Sequence, residues 1–418
     1  MQYVVVGAGP AGVVAAETLR KVDPAGAVTL IGGEPEPPYS RMAIPYMLTG
    51  KVGEDGTHLR PAAGHYDARG ITVINDRVAR VDPATKTVVT ESGASHAYDR
   101  LLLATGSHPV RPPVPGLDLP GVHHCWTLAD ARAIAEKATE GRHVVQMGAG
   151  FIGCIIMESL WERGVKLSVI ETADRMVPRM MDTRGGAMIK QWCANKDIDV
   201  HTSASVTAVE PNPAGPGDKL VRLSDGTGID ADLVVVATGV HAYTEFLDGT
   251  GIQVDRGIVV DDHMRTTVPD IYAAGDCAQG RDFSTGGYDV HAIQPTAVEH
   301  GRTAAMNMAG IDVAYQGSLI MNVLDTVGLI TCSFGRWDGV PGGDTARVVD
   351  EGAYRYMCLQ FDGDVLVGAL SLGRTDHMGV VRGLIQNRTR LGPWKQRLME
   401  DPNRVMDAYV SLSQVAGT

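Results

Sequence analysis

Two copies of a glycine-rich motif, each directly after an apolar run, place the strongest constraint on how this chain folds. The first is G-A-G-P-A-G at 7–12, and the second is G-A-G-F-I-G at 148–153. Both have the form G-x-G-x-x-G, whose glycines let backbone N–H groups approach a pyrophosphate at a helix N-terminus. The sequence therefore predicts two strand–turn–helix units, each binding a dinucleotide.

An acidic residue completes each unit at the end of its next apolar run. Glu34 lies 22 residues beyond the last glycine of the first motif, and Glu171 lies 18 residues beyond that of the second. Both spacings are close to the ~20 residues of the dinucleotide fingerprint, in which the acid binds a ribose hydroxyl. Two complete units imply two dinucleotides in one chain, and that pairing favours electron transfer.

Composition excludes several classes of protein. A net charge of −12 argues against nucleic-acid binding, which needs a basic face. No run of 18 apolar residues is present to span a membrane. The first predicted strand begins at Gln2, which leaves no room for a signal peptide. We expect a soluble cytoplasmic protein without a metal site.

The cysteines are far apart in the sequence, with no C-x-x-C pair: Cys125, Cys154, Cys193, Cys277, Cys332 and Cys358. This spacing is typical of reduced thiols and not of a disulfide framework or a zinc knuckle. We expect them to be buried core residues.

A proline-rich segment at 109–116 marks the clearest domain boundary, because it suits neither a helix nor a central strand. The predicted fold class is α/β, with two doubly wound, Rossmann-like nucleotide domains. The first domain comprises 1–113 and 244–312, and the second, 114–243, is inserted into it. Residues 313–418 form a smaller α+β domain, in which strands are predicted at 319–323, 328–331, 354–361 and 365–372.

Four further segments, at 98–106, 234–239, 271–276 and 294–297, occur in the order found in one family. With the glycine motifs, they make the chain resemble the pyridine nucleotide–disulfide oxidoreductase superfamily, the flavoprotein reductases with two dinucleotides. Within it, the chain is most similar to the branch of rubredoxin reductases, nitrite reductase flavin portions and apoptosis-inducing factor. The C-terminal hundred residues resemble the family's dimerisation domain more loosely, which predicts a homodimer.

The resemblance implies FAD on the first unit. Glu34 would bind the adenosine ribose, Arg41 would contact FAD and the Val78 backbone would meet the adenine. Asp276 would bind the ribityl chain or the neighbouring phosphate. Asp276 is also expected from its position after a glycine at a strand end, although a helix N-cap is the alternative. The predicted FAD-binding residues are Gly7, Gly9, Pro10, Ala11, Gly12, Glu34, Arg41, Val78, Thr105, Gly106, Gly275, Asp276, Pro295, Glu299 and His300.

A helix beginning near Pro295 should direct its positive end at the flavin, where it would favour the anionic reduced form. Glu299 and His300 align with a pair near the flavin and the nicotinamide in apoptosis-inducing factor, and a surface pair is the alternative. The second unit would bind NADH through a further set of residues: Gly148, Gly150, Phe151, Ile152, Gly153, Glu171 and Gly239.

The chain departs from its thiol-dependent relatives at one informative position. No cysteine precedes His124, and Met42 stands where NADH oxidases and coenzyme A disulfide reductases have their redox cysteine. A thioether cannot form the nucleophilic thiolate, so a sulfur relay is excluded. We expect Met42 to pack beside the flavin as an apolar filler.

The function predicted from these residues is that of an FAD-dependent NADH:acceptor oxidoreductase. Hydride passes from NADH to flavin N5, and electrons then pass to an iron–sulfur or rubredoxin-like protein or to a partner subunit. No side chain is assigned as catalytic, beyond the candidate Glu299. A basic stretch is a candidate docking surface, with a solvated tail as the alternative: Arg382, Arg388, Arg390, Lys395, Arg397 and Arg404. Two other functions stay open: an NADH oxidase or quinone reductase, and a slow NADH-sensing protein.

Glu171 predicts the choice of nicotinamide cofactor. Its carboxylate would bind both ribose hydroxyls and repel a 2′-phosphate, so we expect a higher kcat/KM with NADH than with NADPH. Steady-state kinetics with both cofactors measures this, and a preference of about tenfold for NADPH would contradict it.

Overall fold

The computed structural model describes residues 1–415, which form two compact units. Unit 1 comprises Met1–Val110 and Val240–Ser318. Unit 2 comprises Arg111–Gly239 and the described residues from Leu319 onward. Unit 1 is thus built from two separated stretches of chain, and so is unit 2.

The helices and strands of residues 1–239 follow in chain order. Those of the first stretch of unit 1 are β1 (Gln2–Val6), α1 (Pro10–Val22), β2 (Ala27–Gly32), α2 (Ile44–Leu48), β3 (Ile71–Asn75), β4 (Val78–Asp82), β5 (Thr87–Thr90), β6 (Ser95–Ala97), β7 (Arg100–Leu103) and β8 (Ser107–Pro109). Those of the first stretch of unit 2 are β9 (Val122–His124), α3 (Leu128–Lys137), β10 (His143–Met147), α4 (Phe151–Glu162), β11 (Lys166–Ile170), α5 (Thr183–Ala194), β12 (Ile198–His201), β13 (Val206–Pro211), β14 (Lys219–Leu223), β15 (Gly228–Ala231) and β16 (Leu233–Val236).

The rest of the chain returns to unit 1 and then to unit 2. The second stretch of unit 1 contains β17 (Val240–Ala242), β18 (Ile258–Val259), β19 (Ile271–Ala273), β20 (Ala278–Arg281), β21 (Tyr288–Val290) and α6 (Gln294–Met308). The last stretch of unit 2 contains β22 (Met321–Thr326), β23 (Leu329–Gly335), β24 (Asp344–Asp350), β25 (Arg355–Asp362), β26 (Val365–Leu372), α7 (Met378–Gln386), α8 (Pro393–Glu400) and α9 (Val405–Val415).

The core of unit 1 is a parallel sheet in the order β19-β7-β1-β2-β3. The strands β1 and β7 are almost wholly apolar and buried, as expected of central strands covered on both faces. Helix α1 packs against α6 so closely that a Cβ on Gly301 would collide with the carbonyl oxygen of Ala11. Strands β8 and β17 pair antiparallel, with His241 directly opposite His108.

Unit 2 contains a second parallel sheet, in the order β12-β11-β10-β16-β9. The two parallel sheets confirm the predicted α/β fold class. An antiparallel sheet in the order β22-β23-β26-β25-β24 belongs to the same unit. It is joined to α5 by hydrogen bonds from the Trp192 indole N–H to the Val327 carbonyl (3.1 Å) and from the Tyr356 hydroxyl to the Asp182 carboxylate (2.6 Å).

Among the helices of residues 1–415, none combines the length and the apolar character needed to cross a membrane.

The close crossing of α1 and α6 predicts a strong effect of one methyl group. Gly301→Ala would push a Cβ into the Ala11 backbone, so we expect a loss of about 1–3 kcal/mol in the free energy of unfolding. Gly383→Ala on α7 is the matched control, since a Cβ there has no neighbour within 4 Å and Ala is the better helix former. Urea unfolding of the three proteins provides the measurement. Equal stability of wild type and Gly301→Ala would contradict the crossing.

Candidate functional site

The first glycine motif forms a turn that only glycine can occupy at two of its positions. Gly7 has a φ of +112°, and a Cβ there would collide with the Ala104 carbonyl oxygen. A Cβ on Gly12 would collide with the carbonyl oxygen of Gly7, because α1 starts directly against the turn. A Cβ on Gly9 has no neighbour within 4 Å, so open space lies beside the N-terminus of α1. This cradle fits a pyrophosphate.

The second motif repeats this arrangement in unit 2. Gly148 has a φ of +104°, and a Cβ there would collide with the Ala237 carbonyl oxygen. A Cβ on Gly153 would meet the Gly148 carbonyl oxygen, whereas one on Gly150 has no neighbour within 4 Å. The predicted contacts Phe151 and Ile152 form the first turn of α4, and both are half-buried. This cradle fits a second dinucleotide by the same criteria.

Three side chains form a hydrogen-bonded group after β2. The Glu34 carboxylate accepts from the Arg41 guanidinium at 2.5 Å and from the Tyr39 hydroxyl at 2.7 Å. Arg41 also donates to the Tyr39 oxygen at 2.7 Å. Because charge-assisted bonds are stronger than neutral ones, this network holds Arg41 in one orientation.

Asp276 lies in a 3₁₀ turn over Gly275–Cys277 whose N-cap is Ala274, so the alternative that Asp276 is itself a helix N-cap is wrong. Its carboxylate accepts from the Ser107 hydroxyl at 3.2 Å. Burial raises the pKa of Asp276, and the Ser107 hydrogen bond and the charge of Arg41 partly oppose that rise. Arg41 therefore acts electrostatically on Asp276 while it is bonded to Glu34.

The start of α6 lies beside these groups. The Ser40 hydroxyl donates to the side-chain oxygen of Gln294 at 3.1 Å, and Pro295 follows in the first turn of the helix. A Cβ on Gly275 would lie 3.1 Å from the Ala11 Cβ and 3.6 Å from the Ala297 Cβ. The structure thus brings the first motif, the Asp276 turn and the α6 N-terminus together.

Four more residues were predicted to contact a cofactor: Thr105, Gly106 and Val78 in unit 1, and Gly239 at the end of the first stretch of unit 2. The Thr105 hydroxyl donates to the Tyr243 carbonyl at 2.8 Å, and Gly106 has a φ of +71°. Val78 is buried at the start of β4. Gly239 follows β16 with a φ of +110°, and a Cβ added to it would have no neighbour within 4 Å. Their contacts with a cofactor stay predictions.

Helix α6 places Glu299 and His300 in different surroundings. Glu299 is exposed, whereas His300 is 0% exposed and packs edge-on against Tyr315, with ring centroids 4.7 Å apart. The alternative that Glu299 and His300 form a surface pair is therefore wrong for His300. The predicted cofactor contact does not fit either, because its ring is sealed inside unit 1. Neither ring nitrogen has a hydrogen-bond partner in the structure, and burial lowers the pKa of His300 to about 3.

Glu171 is more deeply placed than Glu34. It is 7% exposed, and its carboxylate accepts from the backbone N–H groups of Ala149 and Ala173, each at 2.8 Å. The carboxylate therefore fixes the glycine turn of the second motif, a role that the sequence pattern did not indicate. Its contact with a ribose stays a prediction.

Sequence reasoning missed three supporting residues. Tyr39 and Ser107 hold the acidic groups described above. The buried Gln146 amide donates to the Gly148 and Gly153 carbonyl oxygens at 2.8 and 2.9 Å, so it supports the second turn. A glutamine inside the apolar run at 143–147 was the available signal, since a buried amide needs partners.

The cysteines are confirmed as core residues, because all six are free and buried. Burial raises the pKa of the Cys125 thiol to about 12 and that of Cys332 to about 11. The Met42 side chain is exposed to the extent of 49% among the protein atoms, and its packing beside the flavin stays a prediction. None of these sulfur groups provides a reactive thiolate.

The sequence of this chain is similar to those of known proteins. The family model described as pyridine nucleotide-disulphide oxidoreductase matches residues 1–304. The epsilon subunit of the NADH-dependent phenylglyoxylate dehydrogenase of Aromatoleum evansii is 32% identical over 406 residues, which cover 96% of this chain and 95% of that protein. A rubredoxin-NAD(+) reductase of Pseudomonas putida is 32% identical, over 68% of this chain and 74% of its own length.

Two more comparisons concern length and fold. The chain spans about half of the nitrite reductase [NAD(P)H] of Bacillus subtilis (strain 168), which is 29% identical and matches 100% of this chain and 50% of that protein. Putidaredoxin reductase, solved in a covalent complex with putidaredoxin, superposes with a TM-score of 0.90 over 99% of both chains. At 24% identity, this likeness shows the fold.

The sealed position of His300 predicts acid sensitivity. Its folded pKa of about 3 lies below the unfolded value near 6.5, so the unfolded chain binds more protons as pH falls below about 6.5. Stability is then lost on acidification, by about 2 kcal/mol at pH 5 from this residue. We expect His300→Phe to lose less stability than wild type between pH 7 and pH 5. Urea unfolding at both pH values measures this, and identical losses would contradict it.

Proposed function

Because the chain belongs to the pyridine nucleotide-disulphide oxidoreductase family, we propose that it is an FAD-dependent NADH:acceptor oxidoreductase. FAD and NADH are the cofactors of this family. When bound, FAD supplies the oxidation of NADH and the delivery of its electrons to an acceptor. The residues of this chain bind and orient the two cofactors.

The first cradle would hold FAD. The N-terminus of α1 would bind the pyrophosphate, and Glu34 would accept hydrogen bonds from the adenosine ribose. Arg41, fixed by Glu34 and Tyr39, would place its charge beside the phosphates. Asp276 would accept from the ribityl hydroxyls, with Ser107 orienting its carboxylate.

The second cradle would hold NADH. The first turn of α4 would bind its pyrophosphate, on a loop that the Glu171 carboxylate and the Gln146 amide hold in place. A 2′-phosphate placed near Glu171 would meet the oxygen atoms of a buried acidic side chain, which cannot donate hydrogen bonds to it as an arginine would. In this proposal FAD would bind to unit 1 and NADH to the stretch Arg111–Gly239 of unit 2.

One combination of observations carries the proposal: the chain has two complete nucleotide cradles, and all six of its cysteines are buried. A relay through sulfur needs an accessible thiolate, and burial suppresses this form at all six cysteines. With Met42 at the position of the redox cysteine, electrons must leave for an acceptor outside the chain. The names of two relatives, a rubredoxin reductase and a dehydrogenase subunit, support a small redox protein or a partner subunit as that acceptor.

The basic stretch offers a docking surface for an acidic carrier. Its arginines are exposed: Arg382, Arg388, Arg390, Arg397 and Arg404. Lys395 pairs with Asp344 at 2.6 Å and Arg404 with Asp407 at 2.9 Å, which partly neutralises that end of the stretch. Arg388 and Arg390, two residues apart in the chain, are both exposed in the middle of the stretch. Complementary charge accelerates the encounter of redox partners.

We also infer a cytoplasmic homodimer. The resemblance of the C-terminal region to a dimerisation domain supports it. On the neighbouring strands β22 and β23, Val323 is 53% exposed and Ile330 is 37% exposed, which leaves apolar surface for a second copy to cover.

Rapid mixing with NADH tests the function. We expect the flavin-loaded protein to be reduced within seconds, to reoxidise slowly in air, and to reoxidise rapidly with an iron–sulfur or rubredoxin acceptor. Fast reoxidation by air alone would favour an NADH oxidase instead. Reduction slower than minutes, with a changed oligomeric state, would favour an NADH-sensing protein.

Charge-reversal variants test the basic docking surface in the same rapid-mixing experiment. We expect Arg388→Glu with Arg390→Glu to slow acceptor reduction and to weaken its dependence on salt, with flavin reduction by NADH unchanged. Arg355→Glu, an exposed arginine on β25, is the matched control. Unchanged acceptor turnover in the double variant would remove this surface from the proposal.

A further inference from the structure

A pair of histidines lies side by side where the chain leaves and re-enters unit 1. His108 on β8 is directly opposite His241 on β17, and their ring centroids are 3.7 Å apart. Side chains at directly opposed positions of antiparallel strands are on the same face and close to each other. The strand register thus presents two imidazoles together.

Glu245, four residues beyond His241, completes the group. Its Oε1 atom lies 2.7 Å from His108 Nε2 and 3.4 Å from His241 Nε2. Its other oxygen accepts the Thr244 backbone N–H at 3.0 Å, which orients the carboxylate toward the rings. One donor atom from each of the three residues lies within 4.8 Å of the other two.

We infer that His108, His241 and Glu245 form a binding site for a late first-row divalent cation such as Zn²⁺. Two imidazoles and a carboxylate are a ligand set that Zn²⁺ accepts with a water as its fourth ligand. Donors at 2.0–2.1 Å from a tetrahedral ion are roughly 3.3 Å apart. The 3.4 Å between Glu245 Oε1 and His241 Nε2 is close to this spacing, and the 2.7 Å hydrogen bond to His108 Nε2 would lengthen. Small rotations of exposed side chains bring the three atoms to that geometry.

The surroundings of the group suit ion binding from solution. The side chains of His108, His241 and Glu245 are 36%, 49% and 55% exposed, so an ion reaches them without an opening of the fold. Imidazole favours Zn²⁺, Cu²⁺ and Ni²⁺ over Mg²⁺ and Ca²⁺, which prefer oxygen ligands. The ligand set therefore selects for these late first-row ions.

An ion at this site would link two strands that are far apart in the sequence, β8 and β17. The first stretch of unit 1 ends at Val110, one residue beyond β8, and its second stretch begins with β17 at Val240. A bound ion would join these two short strands. Binding to the folded state alone would then stabilise unit 1 in proportion to the logarithm of the free ion concentration.

Calorimetric titration of untagged, flavin-loaded protein with Zn²⁺ tests the site. We expect one Zn²⁺ per chain, weaker affinity by about tenfold or more in His108→Ala and in His241→Ala, and no binding of Mg²⁺. His263→Ala is the matched control, because His263 in unit 1 pairs with a single carboxylate, Asp312, at 3.1 Å. Its affinity should equal that of wild type.

A thermal-melting series gives a second readout. Zn²⁺ should raise the melting temperature of wild type and His263→Ala, and have a smaller effect on His241→Ala. Flavin absorbance verifies that each variant is folded. Absence of saturable Zn²⁺ binding in wild type, or equal affinity in wild type and both alanine variants, would overturn the inference and leave a hydrogen-bonded histidine–glutamate group.

Discussion

The close approach of backbone to backbone at the two glycine turns is the constraint on which the rest of the structure depends. At Gly7 and Gly148, the chain turns against a carbonyl oxygen of a neighbouring strand segment, and no Cβ fits there. Each helix can then begin directly at the end of its strand, so its first N–H groups face open space. This local geometry fixes where a dinucleotide can bind in each unit.

In unit 1 three charged side chains accompany the glycine turn in the predicted FAD site. Arg41 is bonded to Glu34 and acts on Asp276, although these acids come from opposite ends of the unit's sequence. The positive charge of Arg41 thus partly offsets the two acidic groups of the predicted FAD site. An anionic dinucleotide could not bind well near two uncompensated carboxylates.

The parts predictable from the sequence were those with a local signature. The glycine spacing and apolar runs indicated the parallel sheets and both helix N-termini. Strand β24 was missed, because only Ala346 is buried in it and it lacks the apolar alternation of a half-buried strand. The sealed position of His300 and the backbone bonds of Glu171 depend on contacts with residues distant in the chain, and the local sequence around each residue does not record those contacts.

The pairing of β19 with β7 has a consequence for how the chain is made. Strand β7 has been synthesised once Leu103 is added, whereas β19, which pairs with one of its edges, begins only at Ile271. At ribosomal rates, the nascent chain waits roughly ten to thirty seconds between the two. During that interval an apolar strand edge is open, so folding of the first stretch during synthesis calls for shielding by a chaperone or by the emerging polypeptide itself.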